Sequence, residues 1–313
     1  MKTKTKAALI LVIITPFLTE LLSANMPPRM FFIFLPLLIF GYSLPVLLFR
    51  ELAVRWRLGL LGILSLGLAY GILNEGIWAK TLLLVKDVPI NSFDNYGFFL
   101  GINFSWTPVI LIWHAFHSVL FPILIVHYLY PEIKSQPWLN KKAIIAAIIP
   151  SAALAILIFF KAKTELGGWL YLLIFSLAML VFVLIAKFMP KAAERGMERF
   201  SLKPLLLGIS VLIFYIISFA LASAKTPLIL FFLYLPAAFL MFAFVLKGKN
   251  WLAMPAFLLF ILGDYMAFAA FGGFSMFTRG YIDEIFSAAI FLIIFIVAIL
   301  RIKKRFKMSE IAL

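Results

Sequence analysis

LGLLGILSLGLAYGILNEGIWA, residues 58–79, decides the fold: 22 residues in a row with one charged side chain, Glu75. At 1.5 Å per residue a helix of this length covers about 33 Å, enough to cross the roughly 30 Å hydrocarbon core of a bilayer. A barrel strand would instead show about ten residues of alternating polarity. Nine further apolar runs, at 7–23, 30–49, 106–130, 143–160, 167–186, 204–223, 226–246, 251–271 and 281–300, repeat the pattern. The chain is 65% hydrophobic and only 13% charged, with mean hydropathy +1.11. Soluble domains are about half apolar and about a quarter charged. The sequence therefore predicts an all-α polytopic transmembrane helical bundle of about ten spans, a single integral membrane domain over residues 1–313.

The net charge of +15 is set by topology. Of the 28 Lys and Arg, 21 fall on one side of the alternating loops: the N-terminus, residues 50–57, 131–142, 187–203 and 247–250, and the C-terminus. The positive-inside rule then puts both termini in the cytoplasm. Anionic headgroups account for the basicity, so nucleic acid is not expected as a partner and the lipid bilayer is. The expected location is the cell membrane. With no Cys, disulfides, thiolate metal sites and a cysteine nucleophile are excluded. The start MKTKTKAALILVIITPFL has the basic head and short apolar core of a signal peptide, but Thr19 and Glu20 stand where small residues should lead to a cut. It reads as the first span.

Polar residues are unevenly shared. Residues 1–130 hold Glu20, Asn25, Asn74, Glu75, His114, His117 and Ser118, whereas 131–313 supplies mainly apolar scaffold helices. The segment 80–105 is the one long external connection, a candidate cap, and 187–203 reads as a basic amphipathic surface helix. An ionisable group within a span is costly, and it ordinarily faces the bundle interior and marks function. Glu75 sits about 6 Å inside the outer end of its span. Gly67 and Gly71, eight and four residues before it, form a ridge of small residues that lets another helix approach. His114, His117 and Ser118 are spaced three and four apart, one face of the next span. Asp264 and Glu20 lie in the same outer half and complete the candidate site as supporting residues, whereas His127 reads as an interfacial residue near the cytoplasmic end.

The chemistry stays open at this level. His114 and His117 in an HxxH spacing, with distant acids, admit zinc, while a Ser118 nucleophile lacks identifiable oxyanion donors. The same acids and imidazoles would serve a proton-coupled transporter of a small molecule. The glycine ridge would serve a non-catalytic partner subunit.

Three stretches resemble the superfamily of intramembrane peptidases that includes the CAAX-processing and bacteriocin-processing (CPBP) enzymes and the PrsW proteases: Glu51 to Arg55 in RELAVR, Tyr70 to Asn74 and Glu75 in AYGILNE, and His114 to Ser118 in HAFHS. The resemblance spans residues 45–125. Arg50 stands where that superfamily shows a paired glutamate, and Asn74 where it has an acid or imidazole. It implies an intramembrane hydrolase with Glu75, Asn74 and His114 as catalytic residues, acting on a membrane-bound peptide or lipid-linked substrate. Glu51 and Glu75 are 24 residues apart, about 36 Å along a straight helix. Glu51 is therefore expected in a cytoplasmic loop, across the membrane from the site. The topology predicts that green fluorescent protein fused after Leu313 fluoresces, and that alkaline phosphatase inserted after Pro89 is active; the reverse pattern overturns it.

Overall fold

The computed structural model describes residues 2–21, 26, 28–83, 93, 96–161, 169–189 and 203–246. Their helices run in chain order as α1 (Thr3–Pro16), α2 (Pro28–Leu38), α3 (Leu44–Arg55), α4 (Leu60–Gly71), α5 (Trp106–Trp113), α6 (Phe121–Leu129), α7 (Lys141–Lys161), α8 (Trp169–Phe188), α9 (Lys203–Ser223) and α10 (Leu228–Leu246). Four wider π-helical turns continue these helices: Phe17–Leu21, Ile39–Ser43, Ile72–Trp78 and His114–Leu120. Among the described residues, six helical stretches are long and apolar enough to cross a membrane: Pro28–Arg55, Leu60–Trp78, Trp106–His127, Lys141–Ile158, Trp169–Phe188 and Leu206–Ser223. The protein is thus a multi-pass helical membrane protein. The runs 251–271 and 281–300, with Asp264, lie outside the described residues, as does most of 187–203.

The third and fourth apolar runs form the centre. Over 18-residue windows, 72% of the residues of Leu60–Trp78 and 83% of those of Trp106–His127 are buried, against 17% and 11% for the stretches in α7 and α8. Helix α4 lies between α8 on one side and α5 with the His114–Leu120 turn on the other, while α1 packs on the Ile39–Ser43 turn and α6. Between helices in lipid there is no hydrophobic drive, so close van der Waals fit decides the pairing. Gly67 and Gly71 supply it. A Cβ at Gly67 would fall 2.5 Å from the Ala115 Cα, and one at Gly71 2.7 Å from Leu111 Cδ2 and 3.3 Å from His114 Cβ.

Prolines explain two of the places where the regular ladders open. Proline has no N–H to give the carbonyl four residues back. Pro16 leaves the Val12 carbonyl without that donor, and Ser43 Oγ donates to it at 2.6 Å. Pro45 does the same for Gly41, whose carbonyl takes the Tyr70 hydroxyl at 3.0 Å. Helices are thereby stitched to one another by bonds that proline made available, and these two carbonyls are not left unsatisfied in hydrocarbon.

At the opposite end of the molecule from Glu75, the structure corrects the reading of RELAVR. Helix α3 continues to Arg55, past the expected end of its run, and Glu51 is a buried helical residue and not a loop acid. The reason is Arg50, which is fully buried and still finds a partner for each nitrogen. Its Nε donates to His127 Nε2 at 3.0 Å, Nη1 to Glu51 Oε1 at 2.7 Å and to the Gln136 carbonyl at 2.9 Å, and Nη2 to the Lys134 carbonyl at 2.9 Å. The guanidinium also lies 3.4 Å from the Trp138 ring centre, and Glu51 Oε1 accepts the Trp138 backbone N–H at 2.8 Å. His127, expected as a simple interfacial residue, is an acceptor in this pin. A buried charge so fully paired is tolerated, but removing one member strands the rest.

Two stability outcomes follow. Gly67→Ala forces its methyl into the Ala115 backbone and is expected to cost about 1–3 kcal/mol. Arg50→Met, which leaves buried Glu51 with only the longer, 3.4 Å contact to the partly exposed Arg55 as its ion pair, is expected to cost about 3–5 kcal/mol, part of it recovered when Glu51→Gln is added. Thermal unfolding in detergent reads both; an unchanged melting temperature for either single variant contradicts the packing described.

Candidate functional site

Every described residue of the candidate polar set lies on a π turn. Glu20 lies on Phe17–Leu21, Asn74 and Glu75 on Ile72–Trp78, and His114, His117 and Ser118 on His114–Leu120; Tyr42, which the sequence reading passed over, lies on Ile39–Ser43. A π turn widens the helix and turns side chains away from the 3.6-residue register, and such turns recur at functional sites.

The glycine ridge brings the Ile72–Trp78 and His114–Leu120 turns into contact. His114 Nε2 lies 2.7 Å from Glu75 Oε1. The other ring nitrogen, Nδ1, lies 2.8 Å from Ser118 Oγ, one turn further along the same helix. With Glu75 ionised, Nε2 carries a proton toward the carboxylate, and in the neutral imidazole Nδ1 accepts from the Ser118 hydroxyl. The second carboxylate oxygen, Oε2, accepts the Thr81 hydroxyl, and Thr81 in turn accepts Trp106 Nε1–H at 3.4 Å. The result is a continuous chain from Thr81 through Glu75 and His114 to Ser118. Glu75 is 7% exposed, His114 1% and Ser118 not at all. Access to the chain therefore lies at the Glu75 end.

Aromatic residues enclose the imidazole. The Tyr70 ring stands edge-on at 5.3 Å and Tyr42 lies at 6.0 Å. The Tyr42 hydroxyl bonds the Glu20 carboxylate, which is close enough to Glu75 for the two to repel. Glu20 is thus joined to the site through Tyr42 and the field it shares with Glu75. Asn74 turns elsewhere: its amide donates to the Tyr70 hydroxyl at 2.9 Å, one residue away along the helix from the direction Glu75 takes. Just past the Ile72–Trp78 turn, Lys80 is buried, and desolvation pulls its ammonium below the ordinary lysine value.

His117 does not join His114. Its ring stacks on Trp113 at 3.7 Å, with Nδ1 3.2 Å from the Trp113 carbonyl and Phe121 edge-on at 5.2 Å. The expectation of one shared face fails for this pair because the π turn rotates residues three apart to different neighbours, while the i,i+4 partners His114 and Ser118 still meet. Among the described residues, no group of three or more His, Asp or Glu gathers closely enough to hold a metal ion. Thr81 and Tyr42 had a legible signal only in retrospect: a hydroxyl six residues past a carboxylate, and a tyrosine between Pro36 and Pro45 where the ladder opens.

The chain matches no curated protein and no solved structure. Across residues 9–307, almost its whole length, it matches an uncharacterized membrane protein family, and it belongs to that family.

Proposed function

We propose that the protein is an intramembrane hydrolase of the peptidase type, with Glu75 and His114 as its acid–base pair. One observation carries the reading: a carboxylate and an imidazole from two different helices, held 2.7 Å apart in a buried, hydrogen-bonded chain. General acid–base work needs that geometry, with groups in reach of one another and shielded from bulk water. The resemblance of AYGILNE and HAFHS to the CPBP and PrsW peptidases agrees with those two roles. The site sits in the outer half of the bilayer, in a chain of about ten spans with both termini cytoplasmic, in the cell membrane.

In this mechanism a water at Glu75 Oε2 gives a proton to the carboxylate as its oxygen adds to the scissile carbonyl carbon. The protonated Glu75 then delivers that proton to the leaving amine nitrogen as the C–N bond breaks, which restores the carboxylate, while His114 Nε2–H, 2.7 Å from Oε1, orients it and steadies its returning charge. Ser118 fixes the imidazole tautomer from the far side. Glu51 has no part in this chemistry, since Arg50, Arg55 and Trp138 occupy its oxygens. The substrate is a membrane-bound peptide or lipid-linked molecule that reaches Glu75 from the outer leaflet.

The second reading, a proton relay in a transporter, draws on the Glu20–Tyr42 contact beside Glu75, which extends the polar string across a further pair of helices. The partner-subunit reading loses its surface, because Leu111 and Ala115 of the same chain fill the glycine ridge. Purified protein in proteoliposomes with a panel of fluorogenic transmembrane peptides separates the first two. The expected result is cleavage that falls about 10²-fold or more in Glu75→Gln and in His114→Gln, with both variants still folded. Uptake of solute driven by a pH gradient, with no cleavage in the same vesicles, overturns the hydrolase reading in favour of the relay.

A further inference from the structure

Both oxygens of Glu75 are taken, Oε1 by His114 and Oε2 by Thr81. A water that is to act at Oε2 must compete with the Thr81 hydroxyl for that oxygen's lone pairs. Thr81 belongs to a short strap, residues 79–83, that leaves the Ile72–Trp78 turn and folds back over it. The Leu82 N–H donates to the Glu75 carbonyl at 3.2 Å, and the Asn103 N–H donates to the Leu82 carbonyl at 2.9 Å. Leu83 pairs with Ile102 as an antiparallel bridge. The strap is thus a third, short edge on the hairpin of β1 (Phe98–Phe99) and β2 (Ile102–Asn103).

The two sides of this seam are anchored differently. The hairpin is tied to the helices: Tyr171 on α8 donates to the Leu100 carbonyl at 2.8 Å, and Asn103 Oδ1 accepts the Trp106 N–H at 2.8 Å at the start of α5. The strap hangs from the end of π-helical Ile72–Trp78 through Lys80, whose φ of +59° is a left-handed conformation that a lysine rarely adopts. Strain of that kind collects at switch segments and clamps, where the surrounding contacts hold it in place. In the closed state the buried Leu82 and Leu83 side chains hold the strap down against it.

From these contacts we infer that residues 79–83 form a gate on the Glu75 site, closed here, in which Thr81 is the positioning residue that holds Oε2 until a substrate's water replaces it. The inference rests on the reading of Glu75 as the reacting carboxylate and adds how access to it is governed. Opening breaks the Thr81–Glu75 bond and the pairing of Leu82 and Leu83 with the hairpin, while the hairpin stays on α5 and α8. In the open state Oε2 faces the outer surface; in the closed state the carboxylate is oriented but idle.

The test reads Glu75 itself rather than turnover. An apolar carbodiimide, dicyclohexylcarbodiimide, modifies buried carboxyl groups, and mass spectrometry of the full chain in proteoliposomes locates the adduct, with Glu75→Gln as the blank and Glu20 as internal reference. Thr81→Val is expected to speed modification of Glu75 about ten-fold or more, what one hydrogen bond to a charged group is worth, while Thr81→Ser keeps the native rate and Glu20 is unaffected. Since the chain has no Cys, Leu83→Cys with Ile102→Cys gives a clean lock. Antiparallel partners lie within disulfide reach. The oxidised pair should slow modification of Glu75, and reduction should restore it. Equal rates for Thr81→Val and the native protein, equal rates for the locked and reduced forms, or a matching rise at Glu20 each overturn the gate. If the gate passes these tests and no peptide is cleaved in any form, the gate stands and the hydrolase reading alone fails.

Discussion

The approach of α4 to α5 at Gly67 and Gly71 is the contact on which the rest of the structure depends. A methyl at Gly67 would strike the Ala115 backbone, and one at Gly71 would have to displace the tip of Leu111. In lipid, helices gain little from hiding apolar surface from one another, and a seam of this kind gains its stability from the number of atoms brought into contact. It also sets a distance. With the two backbones this close, side chains one turn further along must meet or clash, and Glu75 and His114 meet. The chemistry of the site is a consequence of the packing.

Around that seam the chain handles its polar groups by a consistent device. A proline withholds a donor, the helix widens or a carbonyl is left over, and a hydroxyl on a neighbouring helix takes the vacancy: Ser43 on Val12, Tyr70 on Gly41. Each such bond would be worth little in water. In hydrocarbon the alternative is an unsatisfied carbonyl, which costs several kcal/mol. The π turns belong to the same account, since they place Glu20, Tyr42, Glu75 and His114 on the inner surface while the flanking helices remain regular and apolar outside.

The membrane class and the positions of the first eight apolar runs could be read from hydropathy because that signal is local and long. Glu75 and His114 stood out for a related reason: a charge within an apolar run is conspicuous. What could not be read was orientation. A three- and four-residue spacing assigns His114, His117 and Ser118 to one face only if the helix keeps 3.6 residues per turn, and here it does not, so His117 stacks on Trp113. Glu51 was misplaced because a charged pair of residues looks like a loop until its partners, His127 and the carbonyls of 134 and 136, are known, and those lie more than seventy residues away. Thr81 was invisible for the same reason, as its role depends on a strap folding back.

The pin around Arg50 has a mechanical consequence. It fastens α3 to α6 and the segment after it at one side of the membrane, while the Glu75–His114 contact fastens the turn that ends α4 to the turn between α5 and α6 toward the other. Helices clamped at two depths cannot slide past one another along the membrane normal. When the bilayer thins or thickens, the central helices must ride as a unit, and the mismatch is taken up by tilting of the sparsely buried α7 and α8. The inner frame keeps its register in membranes of different thickness, and the outer helices act as its suspension.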